Sequence, residues 1–167
     1  MFNIDDIIVY GIKGVYRVEN IGTPEIEWLD SSKKYYTLAP VYRDEKVYIP
    51  VDTDVYMRPI ISQNEADGLI RSIPDIQVHE ASCRNPRSLE ASYQKAFDKH
   101  DLKELVMILK KTYSKRQKAR LSGKKLAQID ERYMKRAENL LFEELAAAIG
   151  IEKNEVPVYI RKMLNEY

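Results

Sequence analysis

The residues of this 167-residue chain that could do chemistry are few, and their spacing argues against catalysis. His79 and Cys83 stand four apart, an interval that puts two side chains on one helical face. A metal ion needs three or four ligands, however, and no further His or Cys stands near them. Asp52 and Asp54 can project from one face of a strand as paired carboxylates. No neighbouring feature implies the pocket that would prepare one of them for acid–base work, so a solvated strand edge accounts for both. His100 lies between Lys99 and Asp101 with no nucleophile beside it and reads as structural. The sequence lacks a Gly-rich phosphate loop, a dinucleotide fingerprint and a metalloprotease helix, and Gly11-Ile12-Lys13-Gly14 reads as a turn. No enzymatic activity, cofactor, metal ion or small-molecule substrate is expected.

The strongest local signal is charge. Residues 110–125 carry eight Lys+Arg (Lys110, Lys111, Lys115, Arg116, Lys118, Arg120, Lys124 and Lys125) and no Asp or Glu. A helix that is merely solvated usually carries compensating acids four residues away, and this one has none within the run. Such a field attracts phosphates, each neutralised phosphate releases counterions, and the run predicts nucleic-acid contact without sequence preference. The charge also divides along the chain. Residues 1–75 hold 8 Lys+Arg against 13 Asp+Glu, and residues 76–167 hold 19 against 13, so a net −5 is followed by a net +6. Two halves of opposite sign point to two partners.

The elements that must position these residues also divide in two. Seven of the twelve tyrosines lie in residues 1–60, many beside β-branched neighbours in short runs. Strands are predicted at 6–10, 14–21, 34–39, 46–51 and 54–58, and five short strands imply a small barrel. Ser62 with Glu65 forms a capping-box pattern that starts a helix over 63–73, Pro74 stops it, and 75–86 reads as linker. Beyond Arg87 the apolar spacing turns helical. One stripe is Leu89, Tyr93, Ala96 and Phe97, and a second is Leu102, Leu105, Val106, Leu109 and Tyr113. A third is Tyr133, Ala137, Leu140, Leu141, Leu145 and Ala148. Asp130 is placed to cap the third helix and Gly150 to end it, and Asn154 with Pro157 opens a last helix reaching about Glu166. The expected class is α+β: a five-stranded SH3- or Tudor-like barrel over 1–60, a short helix and linker over 61–86, and four to five helices over 87–167. The longest uncharged apolar run, residues 145–151, is about a third of a membrane span. The opening Met1-Phe2-Asn3-Ile4-Asp5-Asp6 shows no export signal and Cys83 has no disulfide partner, so a reducing, cytoplasmic setting is expected.

Three segments of the strand half carry a family resemblance. They are Val9-Tyr10-Gly11-Ile12-Lys13-Gly14-Val15-Tyr16-Arg17-Val18-Glu19, Tyr35-Tyr36-Thr37-Leu38 and Val47-Tyr48-Ile49-Pro50-Val51. The helical half adds Leu121-Ser122-Gly123-Lys124-Lys125, Asp130-Glu131-Arg132-Tyr133, Ala137-Glu138 and Glu144-Leu145-Ala146. In this order the segments resemble the CarD/CdnL transcription regulators of bacteria, whose first domain is shared with transcription-repair coupling factors. The resemblance implies a barrel that pairs a strand with the β subunit of RNA polymerase, through positions around Ile21 and the strand Val47, Tyr48 and Ile49. It further implies a helical domain on promoter DNA at the upstream edge of the transcription bubble, stabilising the open complex and associating with the nucleoid through polymerase. Many members place a Trp wedge at the start of the helical domain; counting back from Asp101, the matching position is Pro86, flanked by Arg84 and Arg87. The alternative from another class is an adaptor whose barrel recruits a partner and whose basic helices bind nucleic acid non-specifically.

Overall fold

Four runs rich in Val, Ile and Tyr and a short fifth, Met57-Arg58-Pro59, each cut short by Gly, Asp or Pro, pair into one antiparallel sheet in the computed structural model, which describes residues 1–78 and 85–165. The strands are β1 (Ile7–Tyr10), β2 (Gly14–Gly22), β3 (Tyr35–Pro40), β4 (Val47–Pro50) and β5 (Met57–Pro59), in the order β4-β3-β2-β1-β5. Gly14, at φ 120°, takes a backbone conformation closed to side chains with a Cβ and so permits the tight β1–β2 turn. A register shift between Val18 and Asn20 bulges β2 against β3. Ile8, Tyr10, Tyr16, Val18, Tyr36, Leu38 and Ile49 form the core on one face, with Phe2, Ile21, Val47, Val51 and Met57 packed against it.

The sheet is not closed into the barrel that the strand count implied. β4 and β5 are its two edges, and both end in proline, at Pro50 and Pro59, where a further rung would need a ladder donor that proline lacks.

Residues Met1–Ile61 make up this strand unit, and the second unit is Ser62–Tyr167. It contains α1 (Gln63–Ser72), α2 (Pro86–Asp98), α3 (Leu102–Leu121), α4 (Gln128–Ile149) and α5 (Val156–Asn165), with 3-10 turns at Ile73–Asp75 and Lys153–Glu155. The Ser62–Glu65 capping box forms in full. The sequence set 61–86 apart as helix and linker, but α1 packs on α4 and α5. It buries Ala66 and Ile70, and its Asp67 accepts a 2.7 Å hydrogen bond from the Tyr159 hydroxyl. With α1 counted in the helical unit, the charges are 7 Lys+Arg against 10 Asp+Glu in the strand unit and 20 against 16 in the helical unit. The net −3 and +4 preserve the asymmetry at reduced size.

The helical core joins Tyr93 and Phe97 of α2, Leu105, Val106, Ile108 and Leu109 of α3, and Tyr133, Ala137, Leu141 and Leu145 of α4. Asp130 does not cap α4, whose N-cap is Ala127. It lies in the first turn, buried, where it accepts from the Tyr93 hydroxyl at 2.5 Å and from Lys115 Nζ at 3.1 Å. His100 adopts φ 51° in the short turn between α2 and α3.

Burial, with help from the Glu138 carboxylate that its hydroxyl bonds, pushes the Tyr113 phenol well above its ordinary value. The folded state therefore holds this proton after the unfolded chain has lost it. The contribution to stability is full below the ordinary tyrosine range, about pH 10, and falls as pH rises beyond it. Tyr113→Phe should lose about 1 kcal/mol at pH 8 with the Glu138 bond. It should also show a shallower alkaline decline than the parent in urea unfolding followed by circular dichroism.

Candidate nucleic-acid interface and strand-pairing edge

The basic run does not form one uniform surface, because half of it is held by the protein. Lys110 Nζ donates to the carbonyls of Ile73 at 2.8 Å and Ile76 at 2.7 Å, closing the turn after α1. Lys111 lies over the Tyr93 ring and Arg116 over the Tyr113 ring, at 5.8 and 5.0 Å from the centroids. Lys115 pairs with buried Asp130. The other four, Lys118, Arg120, Lys124 and Lys125, are exposed and make no ion pair among the described residues.

These four gather at the hairpin turn between α3 and α4. The buried residues of α3 stop at Thr112, so its last turns leave the core, and residues 120–125 are all exposed. The helix closes with a Schellman motif: the Gly123 N–H donates to Arg120 O at 3.1 Å and the Lys124 N–H to Ala119 O at 2.7 Å. Gly123, at φ 67°, supplies the left-handed residue that this motif needs. The cations therefore project from a hydrogen-bonded turn.

Pro86 and Arg87 lie at the same end of the helical unit. Glu90, one turn into α2, bonds Arg132, one turn into α4, at 2.7 Å, and further along both helices Phe97 meets Arg136. The two helices thus run in the same general direction, and their starts sit beside the α3–α4 turn. Pro86 is exposed and occupies the first turn of α2, whose N-cap Asn85 accepts from the Ser88 N–H at 2.9 Å. Arg84, together with His79 and Cys83, lies outside the described residues.

On the strand unit, Ile21, Tyr36 and Ile49 form one cross-strand row, and Val18, Leu38 and Val47 another. Both rows face the core, where Ile49 is buried and Ile21 and Val47 are half-buried. Tyr48 is on the opposite face. Val51 donates to Lys34 O at 3.1 Å, and by the alternation of an antiparallel ladder the N–H and C=O of Tyr48 point away from β3, toward open edge. Beside it stands a residue that the sequence did not single out for binding, Trp28, at 74% exposure, with its ring edge-on to Tyr48 at 6.1 Å. Its only signal was position: an indole in a Gly-, Pro- and Ser-containing connection where no core is available.

A short free sheet edge beside an exposed indole offers main-chain groups and side-chain surface on which another protein's strand can pair. Residues 2–61 match the family model of the CarD-like/TRCF RID domain, so the strand unit is similar to a family of RNA polymerase-interacting domains of transcription proteins. The helical unit lies outside the matched residues. No curated protein matches the chain. Among the described residues no helix is long and apolar enough to cross a membrane, and no group of three His, Cys, Asp or Glu could hold a metal ion.

Exposed Trp and Tyr at an interface often cost about 2 kcal/mol each when truncated, which is about thirtyfold in affinity. Trp28→Ala should weaken binding to RNA polymerase by that order, and Tyr48→Pro, which deletes the outward N–H, by a similar factor. Surface plasmon resonance on immobilised polymerase measures both, and parental affinity in the two folded variants would place the contact elsewhere on the domain.

Proposed function

We propose that the chain is a transcription regulator that holds RNA polymerase with its strand unit and promoter DNA with its helical unit, prolonging the life of the open complex. Main-chain pairing of β4 with a strand of the polymerase β subunit supplies the first contact, with Trp28 and Tyr48 giving it side-chain fit. Phosphate contacts from Lys118, Arg120, Lys124, Lys125 and Arg87 supply the second, at the upstream edge of the melted DNA. The observation that carries the reading is the set of four exposed, unpaired cations gathered on one turn, in the same chain as a polymerase-interacting domain.

Competitor challenge of preformed promoter complexes tests it. The parent protein should lengthen the open-complex lifetime. Replacing Lys118, Arg120, Lys124 and Lys125 together with Gln should remove most of that effect. The slope of log affinity for duplex against log salt should also flatten, by about 0.9 for each phosphate that is no longer neutralised. Lys111→Gln, which alters a cation held over Tyr93, should leave the slope unchanged. A quadruple variant that keeps both the parental lifetime and the parental slope would remove this turn from the DNA-binding surface.

A further inference from the structure

The helical unit is not packed throughout. A cleft of about 260 Å³ opens among α3, α4 and α5, and its wall is apolar: Val106 and Leu109 of α3, Leu141 and Phe142 of α4, and Pro157 and Ile160 of α5. Val106, Leu109 and Leu141 are buried, whereas Phe142, Pro157 and Ile160 are half-buried. Protein interiors are close-packed, and few natural gaps exceed the size of a water molecule. Water in a gap with such walls finds few hydrogen-bond partners and is readily displaced by an apolar molecule.

Three polar side chains also line the cleft, and they differ in what they leave free. The Tyr113 hydroxyl donates to Glu138, so this residue offers the cleft its ring. Lys110 Nζ is taken up by the carbonyls of Ile73 and Ile76. Arg161 is exposed and makes no ion pair among the described residues. It follows Ile160 and stands one turn after Pro157, so one face of α5 carries both apolar wall and an unneutralised guanidinium. No acid is among the described residues that line the cleft.

An apolar cleft with one free guanidinium at its edge is complementary to a flexible amphiphile that ends in a carboxylate. The planar fork of arginine matches the two carboxylate oxygens, and one free cation matches a single negative charge better than the dianion of a phosphate. At about 30 Å³ for each water-sized group, the cleft takes an alkyl chain of at least about eight carbons. We infer that this cleft is a binding site for a medium-chain fatty acid, with the alkyl chain among α3, α4 and α5 and the carboxylate on Arg161. The site is separate from the α3–α4 turn and from β4, and it does not depend on the contacts proposed for either.

Titration of the full-length protein with decanoate, kept below its micelle concentration and followed by methyl NMR, tests the site. Saturable one-to-one shifts are expected at Val106, Leu109, Leu141 and Ile160. Octanoate should bind about fifteenfold more weakly, at about fourfold for each methylene withdrawn from the cleft. Arg161→Gln, at an exposed position, should fold as the parent does and weaken decanoate about fivefold while leaving the weaker binding of decanol unchanged. Ile160→Trp, which places a larger ring in the cleft, should abolish binding of both. Parental affinity for decanoate in folded Arg161→Gln would overturn the proposal, as would the absence of saturable shifts or shifts centred outside the cleft. Decanol binding as tight as decanoate binding in the parent would also overturn it, and would mark the cleft as a seat for an uncharged apolar group such as a partner's side chain.

Discussion

The geometry of the helical unit depends on one buried carboxylate. Asp130 is 5% exposed, and one of its oxygens accepts from a tyrosine on α2 and a lysine on α3 while the residue itself belongs to α4. A charge taken this far from water is tolerable only where hydrogen bonds and a counter-ion replace its hydration, which gives all three partners fixed positions. Tyr93 stacks on Tyr133 at 4.7 Å beside the same contact, so ring packing and charge pairing select one arrangement of three helices. Because Asp130 lies in the first turn of α4, that arrangement is fixed close to the end where the α3–α4 turn and the start of α2 emerge. Removing one partner would leave the carboxylate or the ammonium buried without its complement, which is costlier than the pair is favourable.

The same constraint sorts the basic run. A cation whose neighbours are protein carbonyls, rings or a buried acid has its field compensated where it stands, whereas one in solvent is balanced only by mobile ions that a polyanion can displace. Lys110, Lys111, Lys115 and Arg116 belong to the first kind; Lys118, Arg120, Lys124 and Lys125 belong to the second. The division falls between Arg116 and Lys118, about one turn past Thr112, the last buried residue of α3, so the compensated cations extend about a turn beyond the packed part of the helix.

Sequence patterning located every strand to within about three residues and gave α1 its correct cap, because β-branched runs, turn residues and capping pairs act through the local backbone. Relations between distant residues were not legible in it. Asp130 read as an N-cap, since a carboxylate near a helix start satisfies the same pattern whether it bonds its own backbone or two other helices. The sheet read as a barrel, since closure depends on whether two edge strands meet, and the prolines ending both are seen to matter only once the strand order is known. The resemblance assigned Ile21 on β2 and Val47 and Ile49 on the edge strand β4 to a contact, and all three lie on the core face of the sheet. Which of its faces is buried follows from the bulge in β2 and from the register of β3, neither of which local spacing encodes.

The two surfaces proposed as contacts are each small. A four-residue edge ending in proline offers few main-chain bonds, and four cations give an affinity that salt erodes steeply. Joined in one chain they need not be strong separately. If the strand unit is held on polymerase as proposed, the helical unit would meet promoter DNA at an effective concentration set by the connecting chain, in the millimolar range for short tethers, so that a contact too weak to hold free DNA would become occupied beside the enzyme. On this reading the lack of sequence preference in the cation cluster is a consequence of the design, because position along the genome is supplied by the polymerase. The opposite charges of the two units fit the same proposal: an acidic strand unit would resist being drawn onto DNA by its neighbour and would stay available for a protein partner.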